Sequence, residues 1–168
     1  MTQIAALLIF PLLMAYAAAS DLLTMRISNK IPLALLGGFC GMAVAAGLPL
    51  SLIGWNLACG LLVLACSFAL FAFGWIGGGD AKLAAGVALW LGWGVVLDFL
   101  LFGSVFGGVL TLLILQARRW PLPDWMQRHV WIARLHDQKQ GVPYGIALAA
   151  AGLYVYPDSD IWLRVALS

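Results

Sequence analysis

Hydrophobic and polar positions along this chain fall in long blocks and do not alternate residue by residue. No Asp, Glu, Lys or Arg occurs from Met1 to Ser20, from Ile31 to Gly79 or from Gln140 to Pro157. An apolar run of roughly 18 or more residues predicts a membrane-crossing helix, because about 20 residues rising about 1.5 Å each traverse the hydrocarbon. Six spans account for the pattern: residues 4–20, 31–46, 52–73, 81–96, 99–115 and 143–156. The charge-free stretch Ile31 to Gly79 is too long for one crossing and breaks naturally at Gly47-Leu48-Pro49-Leu50-Ser51. A tight turn around Asp98 divides the fourth span from the fifth, and a polar loop, 116–142, precedes the last. The expected fold is therefore an all-α membrane protein, one polytopic domain over residues 1–168 with about six transmembrane helices.

Composition sharpens this. The 168 residues are 64% hydrophobic and 10% charged, with a mean hydropathy of +1.00, whereas a soluble domain carries about 25% charged residues. The soluble class is excluded. A net charge of +2, spread along the sequence, gives no basic patch for nucleic acid. Cys40, Cys59 and Cys66 lie in apolar runs without a C-x-x-C pair, so they read as small buried hydrophobes and not as a zinc or redox motif. The small residues Ala15 to Ala19 imitate a signal-peptidase site, but no Lys or Arg precedes the apolar stretch, so the first helix is expected to be retained.

Charge gives the orientation. With six crossings, Arg26, Lys30, Lys82, Arg118, Arg119, Arg128, Arg134 and Lys139 fall on one side, predicted cytoplasmic, and Arg164 is the exception. Within the polar loop, Asp124 is a predicted N-cap for a helix reaching Asp137. Trp125 and Trp131, interleaved with basic residues, suggest that this helix lies in the headgroup layer. His129 and His136 are seven apart and can share a face with Asp137, but a metal site needs at least three supported ligands. No metal or cofactor is expected.

Two acidic residues carry the chemistry. An aspartate at mid-bilayer costs about 2.5–3.5 kcal/mol on insertion scales and less near the border, so it is kept where it acts or where water reaches it. Asp21 ends the first span and Asp80 begins the fourth. The hairpin between them returns the chain to the side it left, so both carboxylates are expected at one cytoplasmic border. Two close carboxylates cannot both ionise cheaply, and a pair holding one proton can activate water with one member and protonate a carbonyl with the other. Gly77-Gly78-Gly79 leaves bare backbone against which an extended peptide can pair, and the helix start at Asp80 favours its ionised form.

Taken singly, each feature has a blander explanation. Asp80 after glycines is an ordinary N-cap, and Asp21 after an apolar run is a solvated loop residue. Lys82 reads as a membrane-border anchor. Asp98 lies on the opposite side, and Asp124, Asp137, Asp158 and Asp160 read as solvated. Ser20 and Thr24 have no histidine nearby in sequence, so a serine mechanism has little support. A proton-coupled transporter also uses membrane carboxylates, but places them near mid-bilayer. A noncatalytic component of a pilus or secretion assembly is the other alternative.

Three segments resemble the type IV prepilin peptidases of the GxGD aspartyl protease group: Asp21-Leu-Leu-Thr-Met-Arg-Ile-Ser-Asn29, Gly77-Gly-Gly-Asp-Ala-Lys-Leu83 and Val142-Pro-Tyr-Gly145 with the apolar run that follows. The resemblance implies removal of a short basic leader from pilin-like precursors at the cytoplasmic face of the bacterial inner membrane, just before their hydrophobic helix. Asp21 and Asp80 match the family's catalytic aspartates. The compact form is similar to the peptidases of tight-adherence (Flp) pili. The larger members' cysteine-rich zinc region is missing, so their N-methylation is not carried over. Ser28 also stands where many relatives have proline.

Overall fold

The computed structural model describes residues 2–166, with side chains for residues 8–164. The described chain is helical throughout, with no strand: α1 (Thr2–Thr24), α2 (Lys30–Ala45), α3 (Leu50–Ala72), α4 (Gly78–Leu91), α5 (Val96–Ala117), α6 (Asp124–Gln127), α7 (Val130–His136), α8 (Tyr144–Val155), a 3₁₀ turn (Tyr156–Asp158) and α9 (Asp160–Ala166).

Two short helices form the interior. In α4, Leu83, Val87, Ala88, Trp90 and Leu91 are fully buried, and α8 buries Ala147, Leu148, Ala149, Ala151 and Val155. Their many alanines and glycines allow neighbouring backbones to come close, the usual solution for helix contacts in lipid. Around them, α4 packs on α2, α3 and α8, while α8 packs on α1 and α5. At the end remote from the aspartates, Phe10 stacks on Tyr156 with ring centroids 4.3 Å apart, and Trp90 joins them edge-on.

The expectation of about six transmembrane helices is overturned. Among the described residues only α3 and α5 are long and apolar enough to cross a membrane. Both leave most of their apolar surface uncovered, because only 22% of each apolar stretch is buried. Leu61 and Phe68 on α3, and Leu101 and Leu112 on α5, are more than half exposed. Of the other apolar blocks, α2 has 16 residues. α4 has 14 residues and α8 has 12, which at about 1.5 Å per residue give roughly 21 and 18 Å against a hydrocarbon of about 30 Å. Their apolarity reflects burial in protein, which a hydropathy pattern cannot distinguish from burial in lipid.

The boundaries have local causes. α4 ends before the expected turn at Asp98 because Gly92 adopts φ +70, a conformation open to glycine; Asp98 consequently sits in the first turn of α5. The break predicted at Gly47–Ser51 falls between α2 and α3, where Gly47 has φ +60. Two polar side chains of α3 turn inward to α4. Asn56 Nδ2 donates to the Leu89 carbonyl at 3.1 Å and Ser67 Oγ to the Ala81 carbonyl at 3.2 Å.

The polar loop is two short helices, α6 and α7, and not one. Extended backbone at His129 (φ −90, ψ 109) separates them, and Pro123, not Asp124, is the N-cap. Arg118 pins this loop to the end of α5, donating Nε to the Leu135 carbonyl at 2.8 Å and Nη2 to the Gly141 carbonyl at 2.9 Å. Arg134 Nη1 reaches the Leu23 carbonyl at the end of α1, at 3.1 Å.

Candidate active site

Asp21 lies within the last turn of α1, which runs on to Thr24. Met25 then stops the helix in the left-handed region (φ 54), and its N–H donates to the Asp21 carbonyl at 2.8 Å. Left-handed backbone is uncommon outside glycine, Asn and Asp. Two hydroxyls support the departure: Thr24 Oγ1 donates to the Ser20 and Arg26 carbonyls at 2.7 and 3.1 Å, and Ser20 Oγ also donates to Arg26 at 3.1 Å. Ser20 and Thr24 thus fasten the chain after α1.

The Asp21 side chain is 5% exposed and faces the start of α8. There the Gly145 N–H donates to Asp21 Oδ2 at 2.7 Å. Only glycine fits: a Cβ at position 145 would stand 2.8 Å from that oxygen and 2.8 Å from Ile27 Cδ1.

Asp80 is the third residue of α4, and Gly77 is the N-cap. The Asp80 carboxylate reaches back to accept the Gly77 N–H, as the third helical residue does in a capping box. A Cβ at Gly77 would lie 2.7 Å from Asp80 Oδ2, and one at Gly79 3.0 Å from Ile27 Cβ. Ile27 is thereby wedged against Gly79 and Gly145.

Asp21 and Asp80 line one cavity of about 350 Å³, closed by Gly77, Gly78 and Gly79 on one wall and by Met25, Arg26 and Ile27 on the other. A second, larger groove of about 840 Å³ opens on the other side of Asp80. It runs between α3, α5 and α8 and is mainly apolar, with Leu62, Leu70, Leu97 and Leu100 along it and Tyr144 beside Asp80. Gly77 and Asp80 line both spaces.

Both aspartates lie outside α3 and α5, the two helices long and apolar enough to cross a membrane. Burial raises the Asp80 pKa to about 6, the charge of Asp21 pushes in the same direction, and the Gly77 N–H opposes them. Burial also raises Asp21, opposed by the Gly145 N–H. Burial and the neighbouring carboxylate thus favour the protonated form of Asp80.

The other candidates are elsewhere. Asp98 borders neither cavity. Among the described residues no three His, Cys, Asp or Glu side chains gather as metal ligands. Lys82 is more than a border anchor: its Nζ donates to Asn29 Oδ1 at 2.9 Å. Gly145, Ile27 and Tyr144 escaped the sequence-based reading as site residues. The Pro143-Tyr144-Gly145 segment was the available signal for the first and last, and nothing in the sequence marked Ile27.

A membrane-associated α-helical protein with two opposed carboxylates is what these features define. Residues 8–112 match the type IV leader peptidase family; the chain belongs to that family, which makes it a peptidase by descent. No curated protein and no solved structure matches the chain.

Proposed function

We propose that the chain is an aspartyl endopeptidase that removes the short basic leader from type IV, Flp-like prepilins at the cytoplasmic border of the membrane. One observation carries the reading: Asp21 and Asp80, from distant parts of the sequence, line a single cavity walled by the three glycines Gly77, Gly78 and Gly79.

The chemistry follows from one shared proton. The ionised carboxylate takes a proton from water as its oxygen attacks the scissile carbonyl carbon, and the protonated carboxyl gives its proton to the carbonyl oxygen. Collapse of the gem-diol breaks the C–N bond. The nitrogen leaves as an amine with the proton first taken from water, while a gem-diol hydroxyl gives its proton to the other carboxylate as C=O re-forms, so the pair again holds one proton. Which carboxyl holds it is a property of the dyad. The glycine wall favours an extended peptide, whose N–H and C=O groups can pair with bare backbone.

Asp80 stands between a cavity that also holds Asp21 and Arg26, the more polar of the two spaces, and a mainly apolar groove. That arrangement suits a substrate that is polar on one side of the cut and apolar on the other. Support for the cytoplasmic side comes from charge: Lys82 and Arg134 contact the strip and helix end beside Asp21, where Arg26 and Lys30 also lie.

The test is co-expression with a prepilin and measurement of leader removal. Asp21→Asn and Asp80→Asn should each lower cleavage by about 10²-fold or more while the protein still inserts, and Asp98→Asn should process at the normal rate. Normal processing by either dyad variant would discard the mechanism.

A further inference from the structure

One side-chain hydrogen bond ties the strip after α1 to α4: Asn29 Oδ1 accepts from Lys82 Nζ at 2.9 Å. Asn29 precedes α2 in helical backbone (φ −58, ψ −17) and makes no cap hydrogen bond, while the Lys30 N–H donates to Ser28 Oγ at 3.3 Å. An exposed pair of this kind adds little stability by itself, so its interest lies in what it joins.

Asn29 closes the strip that begins at the end of α1, four residues after the left-handed turn at Met25 and eight after Asp21. Lys82 lies in the first turns of α4, two residues after Asp80. Helical residues two apart point to different faces, so the ammonium faces outward while the Asp80 carboxylate faces the cavities. Between the two partners lies Ile27, which the strip holds against Gly79 and Gly145. The hydrogen bond is thus the outer tie of a strap that crosses from the Asp21 helix to the Asp80 helix.

We propose that Asn29 and Lys82 are positioning residues, a clasp that sets the separation and relative orientation of the Asp21 and Asp80 carboxylates. The proposal rests on the reading of those two groups as the working pair. Neither clasp residue lines the cavity, so the clasp acts through the backbone of the strap and of α4. Loosening it lets the carboxylates drift apart. A misplacement of about 1 Å in such a constellation lowers turnover by up to about 10²-fold. It also weakens their mutual repulsion. Asp80 is faced by Asp21 from α1, Arg26 from the strip, Tyr144 from α8 and Cys66 from α3. Of these, the like charge of Asp21 is the one that separates the pair's two apparent pKa values, so the alkaline limb of the pH profile moves to lower pH as the pair separates.

The experiment uses the full chain in detergent and a synthetic precursor made of a short basic leader joined to one apolar helix. Asn29→Ala and Lys82→Met should each lower kcat about tenfold with KM little changed, and the double variant should be no worse than either single, as expected of two residues acting as a unit. Lys82→Arg and Asn29→Asp, which keep a donor and an acceptor, should restore most of the rate. Thermal unfolding should move little in all of them. Wild-type kcat and pH profile in Asn29→Ala or Lys82→Met would overturn the clasp, as would a loss of rate that merely tracks a loss of thermal stability. Inactivity of Asp21→Asn and Asp80→Asn in the same assay tells that failure apart from failure of the dyad itself.

Discussion

A carboxylate buried beside the first turn of a helix is oriented by whichever backbone N–H it can reach, and for Asp21 that donor belongs to Gly145. The hydrogen bond exists because position 145 has no side chain, since a Cβ would meet both the carboxylate oxygen and Ile27 at 2.8 Å. Gly145→Ala is therefore expected to push Asp21 out of line, with about 1–3 kcal/mol of overpacking and a ten- to hundredfold loss of cleavage. Gly41→Ala, where an added Cβ meets nothing within 4 Å, should leave cleavage unchanged. Precursor processing and thermal unfolding of both variants check this, and a Gly145→Ala protein with wild-type turnover would refute it. The sequence exposed the glycine only as part of a motif. Its partner lies 124 positions away, and no local pattern encodes a contact of that range.

Helix ends, more than helix middles, shape this site, because α4 and α8 present their N-terminal turns to the carboxylates. Their short lengths follow from where they stop. At the far end of α4, Asn56 satisfies the Leu89 carbonyl, and Gly92 leaves the space that Asn56 fills, with its amide oxygen 2.8 Å from where a Cβ would be. Asn56 is 1% exposed, so Asn56→Ala leaves a buried carbonyl without its donor and should destabilise by about 1–3 kcal/mol. Leu89 lies nine residues beyond Asp80, about 13 Å along the helix, so kcat should hold. A fall in the unfolding temperature with unchanged turnover is the expected pair of results, and a proportionate loss of both would mean that α4 transmits its far end to the site. The glycine punctuation at Gly47 and Gly74–Gly79 was legible in sequence because positive φ and bare backbone leave a residue-level signature. The α4 terminus was misread because the charged Asp98 drew the turn toward itself, whereas Gly92 makes it.

At the scale of the molecule, the chain separates two kinds of apolar surface that a hydropathy pattern treats as one. Residues 81–91 and 144–155 are apolar because protein surrounds them, and the outer faces of α3 and α5 are apolar with no protein over them. Counting both kinds as lipid contact contributed to the six spans read from the sequence, where two of the described helices are long and apolar enough to cross a membrane. The common end for Asp21 and Asp80 was nevertheless legible, because it depends only on an even number of helices between them and not on whether each crosses a membrane. The distinction has an energetic consequence. Leu83 is 0% exposed and Leu101 is 60% exposed. Truncating a protein-packed leucine removes dispersion contacts and leaves a cavity, so Leu83→Ala should cost about 2–5 kcal/mol. Truncating a leucine that meets acyl chains exchanges one apolar neighbour for another, and Leu101→Ala should shift unfolding in detergent by less than about 0.5 kcal/mol. If Leu101→Ala proved as damaging as Leu83→Ala, the exposed face of α5 would have to be packed against protein.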